Sequence, residues 1–196
     1  MKLAIFGGSF DPIHIGHLSI ADEVRVSLGY DQIVFVPANI PPHKPASLMI
    51  STNDRVELVR LGIAGNGAFR LETSEVDRGG VSYTIETIRR IIKVNAPVGR
   101  PGLIIGDDLL EGFPGWKEAQ QIGALCDLVV ARRFRTEGRL SLTLPDFVSN
   151  CREVDNLLVP VSSSDIRGRI REGRSFRYLV PERVYEYISN NGLYKS

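Results

Sequence analysis

The chain has 196 residues, of which 43% are hydrophobic and 24% charged, with 24 Lys and Arg against 23 Asp and Glu and a formal net charge of +1. That composition excludes a disordered or low-complexity chain, and the charge balance offers no global basic field for nucleic acid. No apolar run reaches membrane-spanning length and the N-terminus enters a strand directly, so we expect a cytoplasmic protein with no membrane partner and one α/β domain over 1–196.

Lys2 to Phe6 reads as a short buried strand, because Leu3-Ala4-Ile5-Phe6 is a continuous apolar run. Gly7-Gly8 follows as a turn, and Leu18 to Leu28 then repeats apolar residues at helical spacing. Gln32 to Val36 is a second strand, followed by a proline-stiffened loop from Pro37 to Pro45. Ser51 caps a helix carrying Val56, Leu58, Val59, Leu61 and Ile63. Phe69 to Glu72 reads as a strand, Thr84 to Val94 as a helix, and Gly102 to Ile105 and Leu125 to Ala131 as further strands. Arg135 to Cys151 reads as an irregular excursion. Ser163 to Glu172 and Pro181 to Asn190 close the chain as helices, with Pro181 in a first turn and Gly192 just past an end. Alternation of strand and helix predicts a parallel sheet. The two cysteines, Cys126 and Cys151, lack CxxC spacing and read as reduced thiols.

The segment Gly7-Gly8-Ser9-Phe10-Asp11-Pro12-Ile13-His14-Ile15-Gly16-His17 carries the most chemistry. It lies on the first strand-to-helix connection, where strand ends and a helix N-terminus converge on bound phosphates. Gly7 and Gly8 lack a Cβ, so backbone N–H groups can approach a phosphate closely and φ can turn positive. His14 and His17, three residues apart, share one helix face over the positive end of the helix dipole. Two histidines also suit a metal, but no Cys or third His stands at zinc-ligand spacing.

Four further segments follow strand ends or open helices. Lys44 can bring a cation to a phosphate from the Pro-rich loop; alone it reads as a solvated side chain. Ser82-Tyr83-Thr84 opens a helix and offers N–H groups and hydroxyls to an anion; alone it is a plain cap. Ile105-Gly106-Asp107-Asp108 places carboxylates where they can meet a ribose or a hydrated Mg²⁺, with Trp116 nearby to stack on a flat ring or simply to pack. Ser162-Ser163-Ser164-Asp165-Ile166-Arg167 opens a helix with a guanidinium one turn in, a second anion clamp or a capped surface helix.

The HxGH signature His14-Ile15-Gly16-His17 resembles that of the nucleotidyltransferase superfamily, which is shared with class I aminoacyl-tRNA synthetases. Taken with Pro37 to Lys44, Ser82 to Thr84, Ile105 to Asp108, Trp116, Ser162 to Arg167 and the tail through Tyr194, the chain resembles bacterial nicotinate-nucleotide adenylyltransferases. The resemblance spans nearly the whole chain. It implies a Rossmann-like parallel sheet with helices on both faces, and a C-terminal helical part from about 160 to 196 that completes an ATP site.

The resemblance also implies roles. His14, His17 and Arg167 would be catalytic. Gly7, Gly8, Ser9, Phe10, Gly16, Gly106, Asp108, Ser163 and Ile166 would bind ATP. Lys44, Tyr83, Thr84 and Trp116 would face nicotinate mononucleotide. Mg²⁺ would accompany ATP, without an assigned protein ligand. Three departures stand out: Ser164 where the family usually has Thr, Asp107 where Ala is common, and Arg132-Arg133-Phe134 in place of Arg-Pro-Gly. The expected reaction joins the AMP part of ATP to nicotinate mononucleotide, giving deamido-NAD. Transfer to nicotinamide mononucleotide or phosphopantetheine, or from a CTP-derived donor, and a non-catalytic nucleotide-binding module are the alternatives. The sequence leaves a homo-oligomer open.

Overall fold

Strand β1 (Leu3–Gly8) lies at the centre of a six-stranded sheet, and its residues show how both faces are filled. Leu3 and Ile5 belong to one apolar cluster, Ala4 and Phe6 to another on the opposite face, as period-two alternation in a doubly covered strand requires. The remaining strands are β2 (Gln32–Pro37), β3 (Phe69–Leu71), β4 (Gly102–Gly106), β5 (Asp127–Ala131) and β6 (Cys151–Val154). Their order is β3-β2-β1-β4-β5-β6 and every pairing is parallel. This is a computed structural model, and it describes residues 1–42, 49–132, 146–148 and 150–195.

Helices cover both faces. Helices α1 (Ile15–Leu28), α2 (Thr52–Gly62), α6 (Ser163–Arg171) and α7 (Glu182–Asn190) bury Val24, Leu58, Ile166 and Val184 among others against Phe6, Phe35 and Val129. Helices α4 (Thr84–Asn95) and α5 (Ala119–Leu125) bury Ile85, Ile88, Ile91 and Ile122 against Ile5, Val34 and Val130. A short α3 (Ser74–Arg78) precedes α4. The architecture is the expected Rossmann-like parallel sheet with helices on both faces. Strand order reverses between β1 and β4, so their C-terminal ends open a crevice at the switch point.

Several expectations are corrected. Gly7 and Gly8 are not a turn: they extend β1, in register with Val36 and Pro37. Neither takes a positive φ; the left-handed residue is Phe10, at φ 46°. Helix α1 begins at Ile15, three residues before the expected start, because His14 in extended backbone acts as its N-cap. Leu125 ends α5 rather than opening β5. Pro181 caps α7 from outside. Cys151, placed in the irregular stretch, begins edge strand β6, whose sequence Cys-Arg-Glu-Val lacks the apolar run that marks the inner strands. Positions 135–145 and 149 of that stretch lie outside the described residues.

Candidate active site

The β1–α1 connection builds a stack of rings at the crevice floor. His14 is 2% exposed, and its ring stacks on that of His17 with centroids 3.7 Å apart and planes at 25°. The backbone N–H of His14 donates to His17 Nδ1 at 3.3 Å. With the ring neutral, that bond puts the His17 proton on Nε2. Phe10 packs its ring edge-on to His17 at 5.1 Å, and Phe6 lies at 6.0 Å. Gly16 lets the His14 ring and Val161 approach it closely: a Cβ would come to 3.1 Å from both His14 Nδ1 and Val161 Cγ1. At Gly8 a Cβ would meet the Phe10 ring at 3.0 Å, whereas above Gly7 there is open space.

Beneath the connection lies a buried polar network. Arg55, on α2, is 1% exposed and donates to the carbonyls of Ser9 (3.0 Å), Ala38 (2.6 Å) and Asn39 (2.8 Å), and to Thr52 Oγ1 (3.1 Å). One guanidinium thus joins the β1–α1 connection to the loop leaving β2. Burial lowers its pKa, and the nearby Asp11 carboxylate opposes that shift. Helix α6 closes over the same connection. Ser163 Oγ donates to the Pro12 carbonyl at 2.9 Å, and Arg167 Nη1 donates to the Asp11 carbonyl at 2.7 Å. Ser162 caps α6 by accepting from the Asp165 N–H at 3.0 Å. The Asp11 carboxylate accepts from the Tyr194 hydroxyl at 2.8 Å, which ties the C-terminal segment to the same place.

On the opposite sheet face, the loop after β2 docks on the segment before α4. Asn39 N–H donates to Ser82 Oγ at 2.8 Å, and its side chain donates to the Gly80 carbonyl at 2.9 Å. Tyr83 is the N-cap of α4 and Thr84 its first residue, so both sit at a helix N-terminus on the crevice side. Lys117 Nζ lies 3.9 Å from the Tyr83 ring centroid. Trp116, half-buried, packs edge-on to Phe113 at 5.4 Å. Behind them Glu75, buried in α3, accepts from the Thr87 hydroxyl. Desolvation raises its pKa against the opposing pull of its Thr87 and Ser82 hydrogen bonds.

At the end of β4, Gly106 is buried, while Asp107 and the exposed Asp108 open a single 3₁₀ turn. At the end of β5, Arg132 pairs with Glu153 (3.0 Å) and Asp155 (2.9 Å). Arg132, Leu157 and Val161 line a small pocket together with His14, Gly16 and His17.

The cytidylyltransferase-like family model matches residues 5–169. A probable nicotinate-nucleotide adenylyltransferase of Treponema pallidum is 40% identical over 100% of both chains. Another from Geobacillus kaustophilus is 41% identical over 98% of this chain and 86% of the relative. The chain belongs to the nicotinate-nucleotide adenylyltransferase family. Among solved structures, Plasmodium falciparum nicotinic acid mononucleotide adenylyltransferase complexed with NaAD shares the fold, at TM-score 0.79 and 16% identity over 98% of this chain and 97% of that one.

For this adenylyltransferase-family chain, the structure brings Gly7, Gly8, Ser9, Phe10, His14, Gly16, His17, Ser163 and Arg167 around one connection. Ile166 has its side chain fully buried in the core and anchors α6 beside that group. Gly106 ends β4 and Asp108 lies in the turn that follows it, while Tyr83 and Thr84 open α4 and Trp116 follows the next 3₁₀ turn. Lys44 and Arg133 lie outside the described residues. Sequence reasoning missed Arg55, although its spacing to Leu58 and Val59 places it on the apolar face of α2, where an unaccompanied cation demands a reason. It assigned no role to Asp11 and Asn39, whose contacts cross between elements far apart in sequence.

Proposed function

We propose that the chain transfers the adenylyl group of ATP to nicotinate mononucleotide, releasing pyrophosphate and forming deamido-NAD. The observation that carries this reading is the stacked His14–His17 pair under an α6 clamp, at the switch point of a member of the adenylyltransferase family. The chain acts as one unit over 1–196, with 160–196 completing the ATP site.

The nucleophile is the acceptor's own 5′-phosphate, already an anion at neutral pH, so no general base is needed. One of its oxygens forms a bond to the α-phosphorus of ATP in line with the bridging oxygen, whose bond to that phosphorus breaks. The electron pair leaves with pyrophosphate. Holding two anions together and meeting charge that grows on the α- and β-phosphates is the task of the protein. His17 Nε2–H, the His14 ring and the Arg167 guanidinium meet that charge. Backbone groups at Gly7, Gly8 and Ser9, with Gly16, admit the phosphates closely. Gly106, Asp108, Ser163 and the α6 turn anchored by Ile166 hold the nucleoside end. Tyr83, Thr84 and Trp116, with Lys44, bind the acceptor, and the α4 N-terminus suits its carboxylate.

Among the described residues no three His, Cys, Asp or Glu side chains converge as a metal set. That donor chemistry fits Mg²⁺ arriving with ATP, since Mg²⁺ keeps phosphate and water oxygens rather than a protein cage; Asp107 and Asp108 supply hard oxygens nearby. When bound, the ion neutralises phosphate charge.

Pyrophosphate release from Mg·ATP is the test, run with nicotinate mononucleotide, nicotinamide mononucleotide and phosphopantetheine in parallel. Release with nicotinate mononucleotide alone is expected. Equal kcat/KM with the amide widens the substrate, release only with phosphopantetheine overturns the acceptor, and none with any favours a binding module.

A further inference from the structure

We propose that Tyr194 is a positioning residue that keeps Arg167 available to the triphosphate by occupying the Asp11 carboxylate. The inference rests on the ATP site proposed above.

Asp11 is 3% exposed, so its carboxylate must find partners within the fold. Oδ1 accepts from the Tyr194 hydroxyl at 2.8 Å. Oδ2 stands 3.7 Å from Arg167 Nη1, too far for a hydrogen bond. That nitrogen donates instead to the Asp11 backbone carbonyl at 2.7 Å, while Nη2 reaches Ser164 Oγ at 3.2 Å. The guanidinium therefore spends its hydrogen bonds on neutral acceptors, and the Asp11 carboxylate attracts it at 3.7 Å without taking one. Burial and the Asp11 charge both raise the Tyr194 pKa, so the hydroxyl stays protonated and a donor over the working pH range.

Without that hydroxyl, Asp11 Oδ1 has lost its partner in a dry site. A small rotation of the carboxylate would close the 3.7 Å gap into a charge-assisted pair with Arg167. Such a pair competes with phosphate for the same guanidinium. The acceptor side, on the opposite sheet face, takes no part in this exchange.

The test compares Tyr194→Phe with wild type by calorimetric titration of Mg·ATP and by steady-state kinetics. Tyr194→Phe is expected to raise Kd and KM for ATP about tenfold, the effect of roughly one charge-assisted contact, with KM for nicotinate mononucleotide unchanged. Adding Asp11→Asn to Tyr194→Phe should restore ATP affinity, because an amide cannot form the competing ion pair. Wild-type affinity in Tyr194→Phe, equal loss for both substrates, or no relief from Asp11→Asn would each overturn the proposal. A wild-type protein that binds Mg·ATP yet releases no pyrophosphate with nicotinate mononucleotide would instead sink the acceptor assignment and leave the calorimetric comparison intact.

Discussion

The Arg55 guanidinium donates to the Ser9 carbonyl at 3.0 Å and to the Ala38 carbonyl at 2.6 Å, so a single buried cation spans the loops that leave two neighbouring strands. Removing it leaves three backbone carbonyls without a donor in a dry site. Arg55→Ala is expected to lower unfolding free energy by about 3 kcal/mol or more, measured by urea denaturation. Arg55→Lys, a point charge without the planar fork, should recover only part of the loss. Equal stability of wild type and Arg55→Ala would show that the carbonyls find other partners.

His17 offers one imidazole donor held by ring contacts on both sides. Loss of a single preorganised donor to a developing oxyanion costs roughly 3 kcal/mol, or about two orders of magnitude in kcat. His17→Ala should show that fall in kcat with a smaller change in either KM. A kcat within a few-fold of wild type would remove His17 from the chemistry.

Gly16 separates the His14 ring from Val161. Gly16→Ala puts a methyl 3.1 Å from each, so one of them must move by a few tenths of an ångström. Because the His14 ring stacks on His17, we expect kcat to fall tenfold or more while Tm drops by only a few degrees, about 1 kcal/mol for a mild overpacking. Thermal melts beside initial rates check it: a rate that tracks the folded fraction alone would contradict it.

Glu75 gives the pH dependence. Its pKa is raised in the folded state by burial, so the folded chain binds this proton more tightly than the unfolded chain. The contribution is fully present below the ordinary carboxyl value of 4.5 and is lost as pH rises through the raised value. Glu75→Gln does not titrate. Its stability relative to wild type should therefore improve as pH climbs from acid to neutral, seen in denaturation curves across that window. A pH-independent difference would mean that folding leaves the Glu75 pKa unchanged.

The inner strands were legible because burial on both faces leaves an apolar run, as in Leu3 to Phe6 and Leu103 to Ile105. Edge strand β6 has only one neighbour and covers little core, so Cys151 to Val154 carries no such mark. Helix α5 was hidden because it is only seven residues long, buries just Ala119, Ile122 and Gly123, and runs through Leu125 almost directly into β5. In the site, the residues that open the crevice could be read from local spacing. Those that hold it could not: Asp11 meets Tyr194 and Asn39 meets Ser82 only through the fold, and no periodicity announces such pairs. Even Phe10, read as part of a glycine turn, holds the left-handed backbone itself.

Ser163 and Tyr194 reach back across 151 and 183 positions to the Pro12–Asp11 connection. Contacts of such long sequence separation close late, after their loop entropy is met by the rest of the core. During synthesis the glycine-bearing connection emerges well before the segments that lock it. A chain still short of α6 holds the histidines but not the clamp, so the proposed nucleotide site is complete only once α6 and Tyr194 have been made.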